Sequence, residues 1–344
     1  MNSSGLQIST LMNNTTSTPD RNMRVNTVAI VVYSFACILG CIGNGLVIYI
    51  TGFRMKKTAN TVWFLNLAIA DFIFTTLLPF TIYYTANSYN WIFGKFMCQF
   101  NSLILCLTMY GSVFLLTAIS VDRCMAVVAA VWSQSHRSPR TAGTACFLIW
   151  LLAIVLGTPH AVFRDLKIYP DRVRCGYNYS SDTNLWKYRK RSLIITRFLC
   201  GFLIPLIIIL VCYCVIIWRY NSRKHKRSLM RFKTIVAVIV AFFTCWAPFH
   251  IFQLLQLKTL SETLDMIIEI GNPIVTSIAF LNSCLNPVLY VCMCEDFRQV
   301  FKKSILLVLE SAFTEDRSLH TFTQRCPSNC TEDLCPDKKK NEDR

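Results

Sequence analysis

The chain has 344 residues, 53% of them hydrophobic and 16% charged, with a net charge of +16. Its apolar residues come in runs of roughly 20, the length needed to cross a bilayer, and not in the short periodic stripes of a soluble core. This excludes an ordinary soluble domain, and because the basic residues flank those runs the positive charge gives no support to a nucleic-acid partner.

Residues 1–27 are polar and contain no apolar core of a cleavable signal, so the first span is expected to insert the chain. Asn2, Asn13 and Asn14 open glycosylation sequons there, and Asn178 opens another between spans four and five. Seven apolar segments follow, at 28–50, 61–84, 100–128, 142–159, 193–218, 235–257 and 266–293. In lipid every backbone polar group must be satisfied within a helix or a closed barrel. The prediction is an all-α membrane protein, a seven-transmembrane helix bundle with a short amphipathic eighth helix. Arg54, Lys56 and Lys57, then His136, Arg137 and Arg140, then the basic cluster at 219–233 all fall on one side. That side is assigned to the cytoplasm, which puts the N-terminus outside.

The longest outer loop, about 161–190, carries seven basic residues (Arg164, Lys167, Arg172, Arg174, Lys187, Arg189 and Lys190), with Arg191 at its edge, against Asp165, Asp171 and Asp182. It reads either as a solvated loop or as an electropositive vestibule for acidic ligands. After the last span, Phe297, Val300, Phe301, Ile305 and Val308 recur at helical spacing beside Arg298, Lys302 and Lys303. The organisation expected is an extracellular glycosylated N-terminus over 1–27, the bundle over 28–293, a membrane-surface helix over 294–310 and a disordered cytoplasmic tail over 311–344. No internal repeat supports an inverted-repeat transporter.

Most of the 17 cysteines lie inside apolar spans, where Cys acts as a small hydrophobe. Cys98 and Cys175 face the oxidising side, which predicts a disulfide between span three and the long loop. Cys326, Cys330 and Cys335 in the tail lack a nearby His, so free or palmitoylated thiols are expected there and not zinc. Asn44, Asp71, Ser112, Asn282, Ser283 and Asn286 sit at middle depth of their spans. A carboxylate there costs several kcal/mol unless it faces the bundle interior. The cluster is either a hydrogen-bonded structural knot or a hydrated pocket for a cation. Pro79, Pro205, Pro248 and Pro287 each remove a helix hydrogen bond. Trp246 beside Pro248 is either a toggle or packing.

Asp122-Arg123-Cys124 and Asn286–Tyr290 set polar chemistry at the ends of apolar segments. With Gly43-Asn44, Asp71, Trp150, Pro205 with Tyr213, and Cys245-Trp246-Ala247-Pro248, the chain over about 28–310 resembles the rhodopsin-like (class A) G-protein-coupled receptors. Residues 61–67, Trp91-Ile92-Phe93-Gly94, Cys124, 131–138 and 196–202 are similar to the chemoattractant branch, in the chemerin-like and formyl-peptide receptor group. The resemblance implies that a G protein meets Arg123, that Asp122 restrains it at rest, and that Tyr213 and Tyr290 turn inward on activation with Trp246, Pro248, Asn286 and Pro287. It makes Asp71, Ser112, Asn282 and Asn286 a sodium site, and leaves the protein without another cofactor. It implies an inhibitory-class G protein, arrestin recruited through Ser311, Thr314, Ser318, Thr321 and Thr323, receptor kinases, and the plasma membrane as location. Ser228 stands where an acid would hold Arg123, and Ala130 where a Pro is common.

By the same resemblance Arg197 matches an Arg that binds a ligand carboxylate; the bland alternative is a snorkelling or internally paired Arg. Tyr83, Asn101, His250, Gln253, Glu269 and Asn272 are expected as its pocket neighbours. Leu105 and Cys106, with no carboxylate, argue against an amine ligand. The expected function is a chemoattractant-type receptor for a peptide or protein C-terminus or a lipid acid. A silent or arrestin-biased decoy is the second reading, and a transporter or channel the third. No nucleophile, metal or phosphate motif supports an enzyme.

Overall fold

In the computed structural model the described residues are 4–221, 229–257, 262–293 and 298–300. Helix α1 runs Ser4–Tyr49 and ends in a π turn, Ile50–Arg54. Then come α2 (Ala59–Thr76), α3 (Leu78–Ala86), α4 (Gly94–Val128), α5 (Ala130–His136) and α6 (Pro139–Val162). A two-stranded antiparallel hairpin, β1 (Arg164–Ile168) and β2 (Val173–Tyr177), precedes α7 (Thr183–Phe198). A second π turn, Leu199–Leu203, joins α7 to α8 (Ile204–Asn221); α9 (Leu229–Leu255) and α10 (Glu262–Met293) complete the bundle. Among the described residues six helical segments are long and apolar enough to cross a membrane, and Ile239–Leu255 is a shorter apolar seventh. The expected surface helix and tail, and the loop with Ser228, lie almost wholly outside the described residues, as does Asn2.

Local signals explain where the helices begin. Thr58 caps α2, accepting from the Thr61 amide, while the Thr61 hydroxyl accepts from the Thr58 amide. Ser138 caps α6 just ahead of Pro139, and Asp182 caps α7 by accepting from the Leu185 amide at 2.7 Å. The second span breaks at Leu77, two residues before Pro79, whose ring clashes with the carbonyl four residues earlier. The cap at Asp182 also shortens the expected long loop: Lys187, Arg189, Lys190 and Arg191 lie on the first turns of α7.

Helix α4 packs on α2, α6 and α8, while α1 packs on α2 and α10, and α9 on α10. The fully buried side chains of Leu67, Tyr110, Leu115, Leu116, Ile119, Ile209 and Phe242 mark the core around α4. The apolar residues of α6 and α8 that remain exposed face outward, as a lipid-solvated bundle requires.

A short hairpin in the long loop adds to the all-α bundle. Its register pairs Arg164 with Tyr177 and Leu166 with Cys175. A disulfide joins Cys175 to Cys98 on α4, with their Cα atoms 5.7 Å apart. The Trp91 amide donates to the Val173 carbonyl at 2.7 Å, and Asn90 Oδ1 accepts from the Val173 amide at 2.9 Å. Gln99 Nε2 donates to the Arg164 carbonyl at 3.2 Å. The strand pair is thus tied down along its length over one end of the bundle, here termed the hairpin end.

Close approach of α1 depends on glycine. A Cβ on Gly43 would lie 2.9 Å from the Pro287 ring, and one on Gly40 would overlap the methyl of fully buried Thr75. Gly40→Val is therefore expected to destabilise the protein by about 1–3 kcal/mol through overpacking. Gly143→Ala, where nothing stands within 4 Å, should be neutral or slightly stabilising. Melting temperatures of the detergent-solubilised variants check this, and equal stability of the two would refute the packing of α1.

Candidate functional site

A cavity of about 540 Å³ opens beneath the hairpin. Helix α4 lines it with one face, using Asn101, Ser102, Leu105, Cys106 and Met109, residues at helical spacing. The hairpin adds Arg164, Arg174 and Tyr177, and α9 adds Trp246, Phe249 and Gln253. No Asp or Glu is among its described lining residues.

Arg197 projects into this cavity from the last turn of α7, just before the π turn. Gly201 in that turn lets α8 approach α4: a Cβ there would stand 3.1 Å from Met109 and 3.3 Å from the Tyr110 ring. The side chain is buried, with 8% of its surface exposed. Its Nη2 is 2.6 Å from His160 Nδ1, 3.1 Å from the Tyr177 hydroxyl and 3.4 Å from Cys106 Sγ. The Phe249 ring centroid is 6.0 Å from the guanidinium carbon. Among the described residues no carboxylate pairs with Arg197, and its Nε has no hydrogen-bond partner.

Tyr177 links this cation to a second one. The Arg164 guanidinium stacks on its ring at 3.9 Å, while Arg164 also donates to Ser102 Oγ and to the Cys175 carbonyl. Burial alone would raise the Tyr177 phenol's pKa, but Arg164 and Arg197 outweigh it and hold the value below the usual one. On β1, a hydrogen bond from Lys95, 3.0 Å away, holds the Asp165 carboxyl below the ordinary carboxylate range.

Of the residues expected around Arg197, Asn101, Gln253 and Asn272 line the cavity. Asn101 is 9% exposed and its Oδ1 has no partner among the described residues. Tyr83 does not line it: the side chain is 42% exposed and packs edge to face on Phe93. The break at Leu77 turns Thr81, Tyr84 and Thr85 inward in its place. His250 is also off the wall, buried among Phe198, Phe202, Trp246 and Phe249. The Glu269 side chain lies outside the described ones. Arg164 and Arg174 come from the basic loop read as a candidate vestibule, while His160 and Tyr177 were missed; the signal for Tyr177 was its place two residues past Cys175, on the same strand face.

Deeper in the bundle, Asp71 Oδ2 accepts from Asn286 Nδ2 at 2.6 Å. Asn44 Nδ2 donates to the Gly40 and Ser283 carbonyls at 2.9 and 2.8 Å. Asn44, Asp71, Ser112, Asn282 and Asn286 are all buried, and the amide oxygens of the three Asn residues have no partner among the described residues. One carboxylate with unsatisfied neutral oxygens fits a hard monovalent cation. No group of three His, Cys, Asp or Glu that would suit a transition metal occurs among the described residues. Pro248 and Pro287 lie inside α9 and α10. Trp246 Nε1 is buried without a partner among the described residues.

At the opposite end, Arg137 Nε donates to both oxygens of Asp122, at 2.9 and 3.0 Å, and Arg137 Nη2 stands 2.9 Å from Oδ2. Arg123 and Arg137 both donate to Asn60 Oδ1 at the start of α2. Asp122 forms an ion pair with Arg137, which the turn after α5 brings back beside α4. The Tyr290 side chain lies outside the described ones. Asn178 is exposed just past β2, and Asn13 and Asn14 fall within α1.

The family model of the seven-transmembrane receptors (rhodopsin family) matches residues 43–290. The chain is 45% identical over 300 residues to the chemerin-like receptor 1 of Sus scrofa, covering 83% of this chain and 82% of that one. It is 38% identical over 313 residues to the chemerin-like receptor 2 of Homo sapiens, covering 90% and 88%. It is 37% identical over 305 residues to the prostaglandin D2 receptor 2 of Rattus norvegicus, covering 86% and 76%.

The Asp122–Arg137 pair is partly exposed, so its coupling should be about 1 kcal/mol and not more. In a double-mutant cycle, Asp122→Asn and Arg137→Gln should each lower the melting temperature, and the double variant should lose less than their sum. Additive losses would dismiss the pair.

Proposed function

The chain belongs to the rhodopsin family of seven-transmembrane, G-protein-coupled receptors and to its chemerin-receptor group, and from that premise we propose that its extracellular ligand binds through a carboxylate at Arg197. The observation that carries this reading is a buried guanidinium in a cavity wall, with no carboxylate paired to it among the described residues. A carboxylate accepts two parallel hydrogen bonds from a guanidinium, and a desolvated pair of this kind is far stronger than a surface pair. Tyr177, Arg164 and Asn101 are the neighbours that would orient it. The ligand is a peptide or protein C-terminus or a lipid acid. One similar receptor is named for prostaglandin D2, itself a carboxylic acid. Residues 1–27, with Asp20 as the single acid and no Tyr, are poorly suited to docking a basic protein.

In this reading the hairpin end faces outside, with the protein in the plasma membrane and glycans on Asn2, Asn13, Asn14 and Asn178. Arg123 meets an inhibitory-class G protein when α9 swings about Pro248, and Tyr213 and Tyr290 turn inward behind it. Residues 294–310 lie on the inner leaflet, and 311–344 receive receptor kinases and arrestin. Asp71, Ser112, Asn282 and Asn286, with Asn44, hold a sodium ion that favours the resting state. A ligand shifts the equilibrium only by its differential affinity for the two states. A carboxylate would supply that difference by redistributing the Arg197 hydrogen bonds among α4, α6, the hairpin and the Trp246–Phe249 rings.

Carboxylate-terminated peptides and lipid acids should include activators of G-protein signalling. Arg197→Ala should cut the potency of such an activator by about 100-fold or more while surface expression persists. An unchanged dose–response would remove Arg197 from the site. Activation should lower cAMP, and Arg123→Ala should abolish that effect. Arrestin recruitment with no change in cAMP would instead favour a decoy.

A further inference from the structure

We propose that Cys106 is a covalent attachment point for electrophilic carboxylic acids, so that the cavity holds such a ligand by a thioether as well as by charge. This rests on the reading of Arg197 as a carboxylate site and extends it to a second chemistry in the same cavity.

Among the described free cysteines, Cys106 is the one that lines the cavity. A buried Cys in apolar surroundings is ordinarily inert. The surroundings of Cys106 differ. Its sulfur accepts a hydrogen bond from Arg197 Nη2 at 3.4 Å. The sulfur stands on the cavity wall one hydrogen bond from the group that would hold a carboxylate, so a bound acid is positioned beside it. A second, independent feature of the same wall points to a ligand. Asn101 lies five residues earlier on the cavity face of α4, is 9% exposed, and its side-chain oxygen has no partner among the described residues. A buried polar group in that condition is costly unless something fills the cavity and pairs with it.

The spacing selects the ligand. Sulfur and guanidinium are one hydrogen bond apart, so the reactive carbon must lie close to the carboxylate in the ligand's own skeleton. An α,β-unsaturated acid, with an alkene conjugated to a carbonyl and adjacent to the carboxylate, meets that condition. The sulfur forms a bond to the alkene carbon that bears the carboxylate, β to the conjugated ketone carbonyl, and the alkene π pair moves to the carbon α to that carbonyl, as its enolate. That carbon takes up the proton released by the thiol. The net reaction adds S–H across C=C, and no oxidant or reductant is consumed.

The test uses the purified full-length receptor, trans-3-benzoylacrylic acid and its methyl ester, with adducts mapped by peptide mass spectrometry. Cys106 should acquire the acid about tenfold faster than the ester, the effect of one added charge-assisted contact. Arg197→Gln should erase that preference. Free glutathione should take the ester at least as fast as the acid, so the preference for the acid at Cys106 is read against that intrinsic order. The saturated analogue, 3-benzoylpropionic acid, should leave no adduct but should slow labelling by the unsaturated acid. If the saturated acid raises the melting temperature of the wild type and not of Arg197→Gln, while Cys106 stays unmodified by both reagents, the carboxylate site stands and the covalent step is overturned. If acid and ester label Cys106 equally, with no effect of Arg197→Gln, the carboxylate reading falls and the proposal with it.

Discussion

Arg197 places a full positive charge inside the bundle with no carboxylate paired to it among the described residues. An isolated buried charge costs several kcal/mol unless hydrogen bonds and nearby dipoles compensate. The compensation comes from four separate places in the chain: His160 on α6, Tyr177 on β2, Cys106 on α4 and the Phe249 face on α9. Each must be held in position for the others to work. The disulfide to Cys98, the Trp91 and Asn90 contacts to Val173 and the stacked Arg164 fix the hairpin that carries Tyr177. The architecture of the hairpin end is therefore the architecture needed to keep one guanidinium solvated by protein.

The same helices reach the opposite end. Helix α4 carries Cys106 on the cavity wall and Asp122 and Arg123 near its last turns, with buried Ser112 between them. Helix α9 carries Phe249 against Arg197 and, beside Pro248, the Trp246 ring on the cavity wall. Between the two ends lie buried polar atoms without partners among the described residues, on Asn44, Asn282, Asn286 and Trp246. Packed interiors tolerate such groups where two arrangements of similar energy compete, and each buried polar group left unpaired costs about 1–3 kcal/mol. A rearrangement at Arg197 need only move α9 against α4 to change which of these groups are satisfied.

Much of this was legible in the sequence, and the failures have specific physical causes. Apolar runs of bilayer length located the helices, because lipid leaves the backbone no other solution. The Asp71 cluster was legible for the converse reason, since polar residues in such runs must find one another. The hairpin was not read from the sequence: Val173, Cys175 and Tyr177 on one strand and Leu166 and Ile168 on the other do stand at every second position, but strands of five residues, with Arg164, Lys167 and Arg174 among them, give that alternation too little length to stand out. Tyr83 and His250 were errors of helical phase. The break ahead of Pro79 rotates α3 so that Thr81, Tyr84 and Thr85 face inward, and α9 turns Trp246, Phe249 and Gln253 to the cavity while His250, at the edge of that face, is covered by Phe198 and Phe202. Arg137, a partner of Asp122, is 15 residues along the chain and reaches it only after α5 and a turn, a return path that local periodicity does not encode.

The claim on which the rest depends is that Arg197 is kept unpaired to receive a carboxylate. Thermal stabilisation of the purified receptor by a panel of carboxylic acids and their matched primary amides tests it most directly, on the wild type and on Arg197→Gln. The expected result is that at least one acid raises the melting temperature, its amide does not, and the shift vanishes in the variant. Amides that stabilise as well as their acids, or an acid whose shift survives the loss of Arg197, would contradict it.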